Sequence, residues 1–88
     1  MMEIPEAEII REGLFDAINE QMRDSNPPAT KQAFDRMIDE GISKDEAMKL
    51  IAAVLLMEMN QMLKEGKAYN EERYVGELNA LPELPLDD

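Results

Sequence analysis

Ala47-Met48-Lys49-Leu50-Ile51-Ala52-Ala53-Val54-Leu55-Leu56-Met57 is the stretch on which the fold turns. It carries one charge, Lys49, in eleven residues. A helix that is apolar most of the way round has to be covered on several sides. The stretch sits inside a helix expected over Lys44–Glu65. Ser43-Lys44-Asp45-Glu46 opens that helix as a capping box: the Ser43 side chain takes a backbone N–H at Glu46, and Glu46 reaches back. Ile42 is placed to staple onto Ala47, and Gly66 stops the helix.

Working outward, the other segments are shorter and amphipathic, so they are the natural covers. A first helix is expected over about 5–24. Pro5 suits its first turn, and Glu6 and Glu8 complement the positive end of the helix dipole. Ala7, Ile10, Leu14, Ala17, Ile18 and Met22 recur at three and four residues and form one apolar face. Gln21 falls on that face and needs a hydrogen-bond partner if buried. Gly13 sits mid-helix, where it costs about 1 kcal/mol relative to alanine, and marks either a close helix crossing or nothing. Asp24-Ser25-Asn26-Pro27-Pro28 breaks the chain, because two prolines cannot continue a helix.

Asn26 is expected to cap a second helix over 28–40, with Ala33, Phe34, Met37 and Ile38 as its buried stripe. Lys31 with Asp35, and Arg36 with Glu40, are four-apart pairs for its wet side. Gly41 ends it. Asn70 caps a last helix over 71–80, with Tyr74, Val75, Leu78 and Leu81 inward, and Pro82 ends it. No segment alternates with period two, so no strand is expected. The expectation is an all-α, compact four-helix bundle. It forms a single domain over 1–81, followed by an extended acidic, proline-containing tail over 82–88 whose leucines lie over a groove.

Eighty-eight residues make one small domain with little room for a deep cleft, and a second copy would help its stability. There is no cysteine, and hence no disulfide or thiolate chemistry. There is no histidine, the commonest general base and metal ligand. A net charge of −11, from 20 acidic and 9 basic residues, disfavours direct nucleic-acid binding and anionic membrane surfaces. The first residues carry acid where a secretory signal carries base. The longest apolar run, Leu50 to Met57, is eight residues, too short to span a bilayer. A cytoplasmic protein is the default expectation.

Four groups of residues invite a functional reading. Glu8, Glu12, Asp16 and Glu20 form an acidic ridge that could hold a divalent cation or meet a basic partner. A solvated helix face is the better account, because calcium and magnesium sites need ligands that converge from more than one turn or segment. Glu58 lies in register with Ile51, Leu55 and Met62, and a carboxylate on an apolar face is paired, raised in pKa or at an edge. With no histidine to partner it, pairing with Arg73, Lys64 or a tyrosine hydroxyl is preferred over catalysis.

Met48, Met57, Met59 and Met62 make a methionine-rich helix that serves equally as core or as an adaptable surface. Leu55, Leu56, Met59 and Met62 are the candidate self-association surface. Among the aromatics Tyr69, Tyr74, Phe15 and Phe34, Tyr74 reads as core with its hydroxyl at the rim. Nucleophile elbow, phosphate-cradling loop and zinc patterns are all missing.

Several landmarks recur in order: Asn19-Glu20-Gln21, Asn26-Pro27-Pro28, Arg36-Met37-Ile38, Glu40-Gly41-Ile42-Ser43, Asp45-Glu46-Ala47, Ile51, Gly66, Arg73-Tyr74 and Leu78. Over roughly residues 10 to 81 this order resembles a family of small helical bacterial proteins of unknown function. The resemblance implies a helical fold. It also implies that relatives carry four-apart histidine pairs, which share a helix face and could hold a metal. The equivalent positions here are Arg11 and Phe15 on the first helix, and Asp45 and Lys49 on the third. None is histidine, and Arg11 and Lys49 would repel a metal. An Asp45–Lys49 or Arg11–Asp45 pair could stand there instead.

These readings lead to a protein–protein interaction module, self-associating as a homodimer through the apolar central helix, with no catalytic activity, metal or cofactor. A second reading is an acidic regulator or decoy that binds a basic protein surface. A third is a metal-dependent enzyme relic of the histidine-bearing relatives.

Overall fold

The computed structural model describes residues 6–85, with side chains from Ile10 onward. Four helices follow in order: α1 (Glu6–Asp24), α2 (Pro28–Asp39), α3 (Lys44–Glu65) and α4 (Glu71–Ala80). The architecture is an all-α four-helix bundle with no strand among the described residues. Pro5, Leu86, Asp87 and Asp88 lie outside the described residues, as do the side chains of Glu6, Ala7 and Glu8. No described helix is long and apolar enough to cross a membrane.

The helices end as the local chemistry dictates. Ser43 Oγ accepts the Glu46 N–H at 3.1 Å, and Asn70 Oδ1 accepts the Arg73 N–H at 3.0 Å. Gly66 takes φ of 62° at the end of α3, a conformation that suits glycine. The α1 and α2 termini close in the same way. Ile42 N–H reaches Met37 O and Gly41 N–H reaches Ile38 O, each at 3.0 Å. Asn26 N–H reaches Gln21 O at 3.0 Å and Ser25 N–H reaches Met22 O at 3.4 Å. Both are Schellman closures, with Gly41 (φ 94°) and Ser25 (φ 51°) at the left-handed position. Asn26 is therefore part of the α1 terminus rather than the cap of α2. The N-cap falls on Pro27, with no side-chain cap bond. Gly13 is exposed and an added Cβ there meets nothing, so it marks no close crossing.

α3 touches all three other helices, and so does α2. α1 and α4 flank this central pair and do not pack on each other among the described residues. Ile18, Ala33, Met37, Ala47, Ile51, Val54, Tyr74 and Leu78 are fully buried between them, while Phe34, Ile38 and Val75 pack half-buried at the margin.

Two polar contacts stitch the corners. Gln21 Oε1 accepts from Thr30 Oγ1 at 2.8 Å and from the Tyr74 hydroxyl at 2.9 Å, tying α1 to α2 and α4. The Tyr74 hydroxyl is thus inside, on Gln21, and not at the rim. Arg36 Nη2 donates to Leu78 O at 3.2 Å and to Leu81 O at 2.7 Å, which caps the end of α4 from α2. That inward reach replaces the expected pairing with Glu40, whereas Lys31 does meet Asp35, at 2.6 Å. Held by Arg36, the chain turns at 81–83 instead of running straight out. Leu81 is buried and Leu84 packs half-buried on the same core.

Candidate interaction face

One side of α3, beside α1, is left partly uncovered. Leu56, Met59 and Leu63 lie there, at 39%, 46% and 82% exposure. Spacings of three and four place them on one stripe of a helix. The stripe continues toward the N-terminus through Ala52 and Ala53 to Lys49. α1 forms the other bank of a shallow groove. Ile10 (49% exposed), Arg11, Leu14 and Phe15 face Lys49, Ala52, Ala53 and Leu56 across an apolar space of about 330 Å³. Farther along, Ile10, Gly13, Leu14 and Ala17 face Leu55 and Met59 across a second apolar depression of about 350 Å³.

Of the four residues expected to form the association surface, Leu56 and Met59 are exposed. Leu55 packs half-buried on the core, and Met62 is half-buried. Leu63 was missed by sequence reasoning, although its spacing from Leu56 is a full two turns. Ile10 is half exposed on the α1 bank of both depressions.

Arg11, Phe15 and Lys49, three of the four positions at which the resemblance would place histidine, line the one groove. Asp45 sits beside it, 2.9 Å from Lys49. The donor set is two cations, a ring and one carboxylate, which is no metal site. Among the described residues no three acidic side chains converge as a metal requires. Glu12, Asp16 and Glu20 all point to solvent, and Glu20 approaches Arg23 at 3.6 Å.

Glu58 is the one buried charged residue among those described, at 2% exposure. Arg73 meets it side-on, Nε to Oε1 at 2.8 Å and Nη2 to Oε2 at 3.0 Å, and the Asn70 N–H adds a bond of 2.9 Å to Oε2. Arg73 Nη1 also donates to Glu65 Oε2 at 3.1 Å. The hydrogen bonds from Arg73 outweigh desolvation and hold the Glu58 carboxyl below its ordinary pKa. The same bonds push the Arg73 guanidinium up. An ionised, fully coordinated carboxylate clamps α3 to the start of α4 and is a poor proton donor at neutral pH. Next to it Tyr69 stacks edge-on against Tyr74, centroids 5.8 Å apart, and burial pushes its phenol up to about 12.

Comparison of the chain with protein-family models, with curated proteins and with solved structures finds no match.

Proposed function

We propose that this chain is a small interaction module that binds a second copy of itself through the outer stripe of α3 and the adjoining bank of α1, without catalysis of its own. The observation that carries the reading is the stripe: Leu56, Met59 and Leu63 stand in line on one helix, and Leu63 is four-fifths exposed. Burying a whole side chain of this kind contributes on the order of 2 kcal/mol; Leu63 has most of that left to gain and Leu56 and Met59 less than half each, which with the groove makes a usable interface centre. Against catalysis stands the state of Glu58, engaged by Arg73 and Asn70.

Sedimentation equilibrium from about one to one hundred micromolar, at low and high salt, tests the reading. Each copy carries −11, so screening should tighten an apolar dimer. A monomer at every concentration and salt overturns it. The exposed acids Glu12, Asp16 and Glu20 favour the second reading, an acidic regulator that captures a basic protein. Its signature is opposite: capture of the basic partner is lost as salt rises.

A further inference from the structure

The stripe has direction. Residues 49, 52, 56, 59 and 63 alternate steps of three and four, the spacing of a coiled-coil seam. One end is small, with Ala52 and Ala53 flooring the groove against α1. The other end is large, with Leu63 standing into solvent at 82% exposure. A parallel pairing would set the two Leu63 side chains against each other and leave a gap between the alanines. An antiparallel pairing sets knob against hollow twice.

Charge points the same way. A parallel pairing sets Lys49 beside Lys49. An antiparallel one separates the two Lys49 side chains, sets each toward the carbonyl end of the other α3, and matches opposite helix-dipole ends.

We infer that α3 pairs antiparallel with α3 of a second copy, each Leu63 seated in the other's groove on Ala52 and Ala53, with Leu56 opposite Met59. This rests on the self-association reading above and adds its orientation. The groove between α1 and α3 is then the socket of the interface, and its occupant is Leu63 of the second copy.

The chain has no cysteine, so introduced cysteines report without background. Leu63→Cys and Ala53→Cys are mixed and oxidised gently, with Ala52→Cys as a second socket variant should the first fold poorly. The expected result is a disulfide-linked heterodimer in the mixture and no self-linked Leu63→Cys dimer. In this register the two Leu63 positions stand eleven residues apart along the seam, roughly 16 Å, beyond disulfide reach. Self-linking of Leu63→Cys, or no cross-link in a protein that sediments as a dimer, overturns the register and leaves self-association standing. A monomer by sedimentation overturns both.

Discussion

Tyr74 of α4 donates its hydroxyl to Gln21 of α1 at 2.9 Å, and this is the direct bond between two helices that otherwise do not pack on each other. The same Gln21 oxygen accepts from Thr30. Gln21→Leu therefore takes the shared acceptor from two buried hydroxyls, leaving them only each other, and should lower unfolding free energy by about 2 kcal/mol in urea. Tyr74→Phe removes one donor and leaves Gln21 satisfied by Thr30, so about 1 kcal/mol is expected. A Gln21→Leu loss no larger than that of Tyr74→Phe would show that Gln21 is not the shared acceptor.

The Glu58–Arg73 clamp makes stability depend on acid. The folded pKa of Glu58 lies below its ordinary 4.5. Between those values the unfolded chain binds more protons than the folded one, so stability rises with pH. The contribution is fully present above the ordinary carboxylate range and is lost as pH falls through the lowered value. Glu58→Gln should remove that acid-side slope, at a cost of about 2 kcal/mol at neutral pH because Arg73 keeps only Glu65. Thermal midpoints taken from neutral to strongly acid pH for both proteins check it; parallel curves would mean that Glu58 is not the titrating group.

Ser25 and Gly41 hold the same place in two Schellman closures, and only one of them is glycine. A side chain in the left-handed region costs about 1–2 kcal/mol, part of which glycine returns through the freer unfolded chain. Ser25→Gly should thus stabilise by about 0.5–1 kcal/mol, and Gly41→Ala should destabilise by about 1 kcal/mol or more. Equilibrium denaturation of the pair checks the sign; a destabilising Ser25→Gly would contradict the closure.

Arg36 caps a helix that is not its own. Arg36→Met keeps the stem that crosses α2 and α4 but frees Leu78 O and Leu81 O. Loss of about 1–2 kcal/mol is expected, together with faster amide exchange in the last turn of α4 and the 81–83 turn. Unchanged exchange there would assign the stabilisation to the stem alone.

The helix boundaries were legible because their signals are local. Ser43, Asn70, Gly41 and Gly66 act within one turn of their own positions and end their helices as expected, although at Ser43 only its own half of the capping box forms. Asn26 failed for an equally local reason: it closes the end of α1, and the cap position of α2 falls one residue later, on Pro27. The pairing of Glu58 with Arg73 was legible as a need, since a carboxylate on an apolar face demands a cation and few were in reach.

Thr30 and Arg36 were not legible. Their partners lie 9, 42 and 45 residues away, and neither hydroxyl nor guanidinium advertises a distant acceptor. The interaction face was read in half. Periodicity put Leu55 and Met62 with Leu56 and Met59, but α1 lies close enough to take Leu55 into the core, and the outward line runs on to Leu63 instead.

Leu63 separates folding from association. At 82% exposure it contributes almost nothing to the single bundle, so Leu63→Lys should change unfolding free energy by no more than about 0.5 kcal/mol. In the dimer the same side chain enters an apolar socket, and a charge there would have to be buried or the contact given up. The dimer dissociation constant should therefore rise at least about tenfold, a loss of about 1.4 kcal/mol or more. Met59→Lys should act likewise. Ser43→Ala, which removes a cap remote from the stripe, should lower stability by about 1 kcal/mol and leave the dissociation constant unchanged. Sedimentation and denaturation on the same three variants give two independent scales. If Leu63→Lys moved stability but not association, Leu63 would belong to the bundle, and the face would have to be sought on the acidic side of α1.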